Sequence, residues 1–332
     1  LIIWCKEDVD MAHQRAGKKI SSDVKQNIIM FGGLVFCIIF FSIFTSLHGQ
    51  SIWNPEKLST LISDVIVTAL LSVGAVFVYA LGNIDISTGK QVGLYATLMV
   101  VIQQQTGSLL WGVLLSFLIA IFIAIVNAIT GELLHIYAII PSVVFMFVLS
   151  GLSTIIYSNL GCRSISLYDY SIFKNPWVMV GTLIIESLLV AFVFNKTMVG
   201  KYTKAIGANA ISASQGGANI IKYKVMAYIV MGVCTVVASL FQMGYTASAS
   251  DSTGTGYELN VMIALILGGM PLSGGMKSRV SSALVGAMTF SLLNVGLPLI
   301  GVPVNFTFMV KALIFMIVVL ITCRKRGGVL PR

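Results

Sequence analysis

Polar side chains are scarce in this chain, and the few that interrupt its apolar runs mark where it could do chemistry. Of its 332 residues, 57% are apolar and 10% charged, against roughly a quarter charged in a soluble domain. Asp64, Glu186 and Lys311 fall inside apolar runs, and Asp85 and Glu258 at their borders. An ionisable group in hydrocarbon is costly and marks a functional site by default. Each has a plainer reading. Asp64 lies near a run's end and could reach water, Lys311 could snorkel outward on its long stem, and Asp85 and Glu258 each precede an apolar run that they could cap. Glu186 is mid-run and must face protein or a cavity. Catalysis finds no support. His13, His48 and His135 stand apart, and the five Cys are scattered without metal spacing, so no metal site is expected. The stretch Gly269-Met270-Pro271-Leu272-Ser273-Gly274-Gly275-Met276-Lys277-Ser278 has the glycines, lysine and serine of a phosphate loop, but its lysine is displaced from the required place after the second glycine.

The elements that must position these residues read as membrane helices. A helix crossing a hydrocarbon core of ~30 Å needs about 20 mostly apolar residues. That template predicts spans at 28–47, 58–81, 88–105, 108–130, 133–158, 178–194, 225–247, 257–270, 280–300 and 306–323. Of 21 Lys and Arg, 17 then fall on one side, in the N-terminal arm, at Lys90, in the loop 195–224, at Lys277 and Arg279, and in the tail. Short loops rich in Lys and Arg stay cytoplasmic. The fold class is therefore all-α and polytopic, with about ten transmembrane helices and cytoplasmic N- and C-termini. Residues 1–27 form a cytoplasmic arm without the apolar centre of a signal peptide, 28–323 the transmembrane domain, and 324–332 a cytoplasmic tail. The net charge of +9 borders apolar runs rather than forming one face, so it points to anionic membrane lipid and not to nucleic acid. Two spans are abnormal. The third opens on Gly82-Asn83-Ile84-Asp85-Ile86-Ser87-Thr88-Gly89, and the eighth is short, between Thr253-Gly254-Thr255-Gly256 and Gly268-Gly269. Broken or re-entrant segments of this kind point to a transport pathway. The outer loop 159–177, with Arg163, Asp169 and Lys174, reads equally as a docking surface or a solvated connection.

The internal loop from Gly200-Lys201-Tyr202 through Ala205-Ile206-Gly207-Ala208-Asn209-Ala210 and Ser212 to Gly216 resembles the cytoplasmic loop of ribose/galactose-type ABC importer permeases. Further stretches match in the same order: Gly82 to Gly89, Gly254-Thr255-Gly256-Tyr257-Glu258-Leu259 with Leu267-Gly268-Gly269 and Leu272-Ser273-Gly274-Gly275, then Asn294-x-Gly296-Leu297 and Val310-Lys311-Ala312. The resemblance spans roughly 58–323. It departs at Asn83, where the family has glycine, at Ala210-Ile211, where an acid often stands, and at Ile140-Pro141-Ser142, which lacks the usual Thr-Leu-Gly.

The resemblance implies a permease subunit for a simple sugar, not an enzyme, forming a homo- or heterodimer in the bacterial cytoplasmic membrane. An extracytoplasmic binding protein would deliver the sugar. Nucleotide-binding ATPase subunits would hold ATP and magnesium, leaving no cofactor on this chain. A short helix of small residues from Ala208 to Ser214, between turn-forming glycines, would couple the ATPase to the membrane domain. A neutral sugar calls for hydroxyl, amide and aromatic groups, so Ser87, Thr88, Gln91, Asn127, Thr255, Tyr257 and Asn294 are expected in the pathway, with Asp85, Glu258 and Lys311. The alternative is an ion-coupled carrier working without an ATPase, for which Glu186 or Asp85 would be essential.

Overall fold

The structure, a computed structural model, describes residues 22–162, 164–166 and 171–323. Most of the expected cytoplasmic arm, the whole tail, and Arg163 and Asp169 of the outer loop lie outside the described residues. The chain folds into α1 (Ser22–Leu47), α2 (Pro55–Ala80), α3 (Thr88–Thr106), α4 (Leu109–Leu133) and α5 (Ile139–Asn159), then β1 (Ser164–Ser166) and α6 (Ser171–Lys174). It continues through α7 (Pro176–Lys196), α8 (Met198–Ala208), α9 (Ala210–Gln215), α10 (Ile220–Thr246), β2 (Ser248–Ser250), α11 (Tyr257–Leu267), α12 (Val280–Leu299) and α13 (Val304–Cys323).

Seven of these helices, α1, α2, α4, α5, α7, α10 and α12, are long and apolar enough to cross a membrane. An all-α polytopic membrane protein follows. The other three expected spans are also helices. α3 carries Lys90 and four glutamines. α11 has 11 residues and is about 17 Å long at 1.5 Å per residue, roughly half a hydrocarbon core. α13 has 20 mostly apolar residues, interrupted by Lys311.

Local chemistry sets the helix starts. Pro55 and Pro176 occupy first-turn positions, where a missing N–H costs nothing. Asn175, Asn209 and Asn219 cap α7, α9 and α10 by accepting the amides of Trp177, Ser212 and Lys222, each at 3.0 Å.

The core forms around α2, which is buried continuously from Ile66 to Ala80 and packs against α10, α12 and α7. Small residues let these helices close. Gly74 of α2 faces Cys234 of α10, and Gly286 of α12 lies against the Ala264 carbonyl of α11. Close packing of small residues holds helices together where lipid removes the hydrophobic drive. The rim helices α4, α5 and α7 turn Leu118, Phe122, Phe147, Ile155, Ile185 and Phe192 outward.

β1 and β2 pair antiparallel, Ser164 opposite Ser250 and Ser166 opposite Ser248. This pairing was not expected, because Ser-Ile-Ser and Ser-Ala-Ser are too short for their alternation to be read as strand. It ties Ser164–Ser166 of the outer loop to the segment that follows α10.

Candidate functional site

The backbone leaves α2 at Leu81, runs without helix through 82–87, and re-enters helix at Thr88. Asp85 in this break is 3% exposed. Its Oδ1 accepts from the Ser87 amide at 2.8 Å and the Ser87 hydroxyl at 2.6 Å. Its Oδ2 accepts from the Gln91 amide at 3.4 Å and, across to α4, from the Asn127 amide at 3.5 Å. Gln91 also donates to Ser87 Oγ at 2.8 Å and accepts from Tyr95 at 3.2 Å, and Thr88 Oγ1 donates to the Asp85 carbonyl at 3.1 Å. The structure thus gathers Asp85, Ser87, Thr88, Gln91 and Asn127 into one buried network, and adds Tyr95, which the sequence reading passed over.

Asn127 also borders a cavity of about 460 Å³, with Asn83, Glu132, His135, Lys224 and Tyr228 on its walls. Glu132 and Lys224 form an ion pair there. The cavity falls within the 300–1,000 Å³ usual for small-ligand sites. Its lining comes from α4, α10 and two loops, so no single stretch of sequence announces it.

Asn294 and Lys311 meet in a second cluster. The Asn294 amide donates to Asp64 Oδ1 at 2.9 Å, and its carbonyl accepts from the Lys311 ammonium. Lys311 is 6% exposed and lies 5.2 Å from the Phe290 ring centre and 5.1 Å from that of Phe308. It turns inward rather than snorkelling, and Asp64, which had seemed free to reach water, faces protein. Glu186 packs beside the Cys234 thiol of α10 and shares no hydrogen bond with either cluster among the described residues.

The remaining pathway candidates stand where the two broken segments cross. Lys90 donates to Thr255 at 3.0 Å, and Tyr257 donates to Gln242 of α10. Glu258 accepts the Gly256 amide at 3.2 Å and presses against Gly89. Asp85 and Glu258 therefore each accept the amide of an N-cap residue, Ser87 and Gly256, and among the described residues neither binds a first-turn backbone amide of α3 or α11. A side chain at Gly89 would strike Glu258 and the Gly254 carbonyl, and one at Gly254 would strike the Gly89 carbonyl. The two broken segments therefore touch through Lys90 and Thr255.

The internal loop folds differently from expectation. The expected helix from Ala208 to Ser214 is instead two helices divided at Asn209, whose extended backbone ends α8 and whose side chain starts α9. Gly207 is helical, like Gly200, and not turn-forming, whereas Gly216 and Gly217 do turn the chain after α9. Gly200 packs on the backbone of Phe194, and Gly207 on the carbonyl of Ala80, too closely for a Cβ at either. Ile206 is buried, Ala205 and Tyr202 are half-buried, and Tyr202 stacks on Tyr223 at 4.5 Å. Lys201, Ala208, Asn209, Ala210, Ser212 and Gly216 face outward. So does Ile211, 72% exposed in the first turn of α9 and within the expected coupling helix, though not among the single residues picked out for the contact. Lys204 donates to Asn195 at 3.2 Å and lies over the Phe194 ring, and burial lowers its pKa from the ordinary lysine value.

The Ala80 carbonyl that meets Gly207 also accepts the Gly275 amide at 2.8 Å. Ala80 ends the helix before the first break, and Gly275 lies in the loop after α11. The expected phosphate-loop look-alike is thus a packing loop, with Gly274 and Gly275 seated against α2 and α8.

A family described as branched-chain amino acid transport system / permease component matches residues 57–320. The ribose import permease protein RbsC of Escherichia coli (strain K12) is 26% identical over 314 residues, covering 88% of this chain and 93% of that one. RbsC of Bacillus subtilis is 28% identical, covering 94% and 98%. The galactose/methyl galactoside import permease protein MglC of Haemophilus influenzae is 26% identical, covering 91% and 95%. No solved structure matches.

Proposed function

Because the chain belongs to the branched-chain amino acid transport system / permease component family, we propose that it is the permease subunit of an ATP-binding cassette importer for a simple sugar. The observation that carries this reading is the junction at Ala80. There the loop helix α8, through Gly207, touches the carbonyl that is hydrogen-bonded to Gly275, so both broken segments hang from one contact. A partner pushing on α9 would move that contact, and with it the Asp85 network on one side and α11 on the other.

The rest of the assembly follows. An ATPase subunit holding ATP and magnesium docks on the exposed face of α9 around Ile211. A second permease completes the pathway, and an extracytoplasmic binding protein delivers the cargo. Ten helices lie in the bacterial cytoplasmic membrane, α1 to α5, α7 and α10 to α13, with α3 and α11 as the broken pair and both termini cytoplasmic. The family description names amino acids, whereas the near-full-length relatives are named for ribose and galactose. The cavity beside Asn127 offers amides, a phenol and a carboxylate, the groups that hydrogen-bond a neutral polyol.

Uptake of labelled ribose, galactose, arabinose and leucine by cells lacking and re-expressing this chain tests the reading. One sugar should accumulate only with the chain present and ATP available, and leucine should not. Uptake that survives ATP depletion but collapses with a protonophore would establish the ion-coupled carrier instead.

A further inference from the structure

An apolar groove of about 740 Å³ runs between α1, α2, α7 and α12, walled by Leu34, Ile62, Leu183, Met288 and Leu292. At one end it opens into a space of about 540 Å³ whose wall mixes Asn195, Lys204, Ser278 and Arg279 with Ala191 and Met276. The two share Ser187, Leu188 and Leu284, so they form one channel along the protein's flank. Its chemistry is graded: hydrocarbon along the helices, then a mixed wall in which Lys204 and Arg279 stand among small polar and apolar side chains. Among the described residues Lys204 meets no carboxylate, only the Asn195 amide and the Phe194 ring. The 20-residue α12 begins at this end, and no side chain caps its first-turn amides. Helix N-termini attract anions.

We propose that this channel binds an anionic glycerophospholipid, one acyl chain in the groove and the phosphate between Lys204, Arg279 and the start of α12. Free phosphate would have no use for the apolar wall, and in a zwitterionic lipid the ammonium would be repelled by the cations that draw its phosphate. Lys204 stands one turn before Gly207, so the bound lipid braces α8 where it meets Ala80. The inference rests on the chain being membrane-embedded and not on the identity of its cargo.

The test is native mass spectrometry of delipidated full-length permease in detergent, given phosphatidylglycerol or phosphatidylcholine of matched chain length. Wild type should retain the anionic lipid preferentially, by roughly fivefold for each cation engaged. Lys204→Gln with Arg279→Gln should bring the two lipids to parity. Met288→Trp, which fills the groove, should reduce retention of both. Glycerol phosphate, a head group without a chain, should not displace the bound lipid. Equal retention of both lipids by wild type overturns the proposal whatever the variants do. So does a preference that survives the double substitution in monodisperse protein, or displacement by glycerol phosphate, which would indicate a phosphate site alone.

Discussion

Removing the Asp85 carboxylate strands four donors, from Ser87 (amide and hydroxyl), Gln91 and Asn127. A buried donor left unpaired costs about 1–3 kcal/mol. Asp85→Ala should therefore lower the melting temperature in detergent and abolish uptake, and Asp85→Asn, which keeps one acceptor oxygen, should lower it less. An unchanged melting temperature in both would mean the network is not a stabilising unit. The second cluster calls for a double-mutant cycle. Lys311→Met alone leaves the Asp64 carboxylate buried against an amide, and breaking such a charge set costs about 3–5 kcal/mol. Lys311→Met with Asp64→Asn removes both charges and should recover most of the loss. A double variant no more stable than the single one contradicts the coupling. The sequence displayed these residues as ionisable groups in apolar runs but not their partners. Asp64 and Asn294 lie 230 positions apart, and only the packing of α12 on α2 brings them together.

At the scale of elements, the crossing of the two breaks depends on glycine. Gly254 has φ +81° and lies against the Gly89 carbonyl. Gly254→Ala combines overpacking, about 1–3 kcal/mol, with left-handed backbone strain, about 1–2 kcal/mol. Gly217, at φ +85° with open space around it, carries only the strain. Gly254→Ala should thus lower the melting temperature more than Gly217→Ala, and equal shifts would show that the contact between α3 and the Gly254 turn is loose. Helix positions were largely legible beforehand, because long apolar runs set them. The expected span 58–81 is Pro55–Ala80, and 280–300 is Val280–Leu299. Both breaks were legible from their glycines and hydroxyls. The internal loop was misread because a glycine in sequence does not say whether it turns the chain or admits a neighbour. Gly207 admits Ala80, and Asn209 makes the division that glycine was expected to make.

At the scale of the whole molecule, the exposed helix α9 connects through α8 and one contact at Ala80 to the segments on either side of α3 and α11. α9 buries none of its residues, while α8 beneath it buries Gly200, Thr203 and Ile206. α8 is the anchor and α9 the projecting part, so a change on α9 can alter partner binding without unfolding the domain. A bulky residue at Gly207 would not serve as a probe, since it would collide with α2 itself. The most direct measurement is therefore co-purification from native membranes, comparing wild type with Ile211→Asp. The account predicts an ATPase subunit with wild type, its loss from the variant, and an unchanged melting temperature for the permease. An ATPase retained in full by the variant, or absent from both forms, would contradict it.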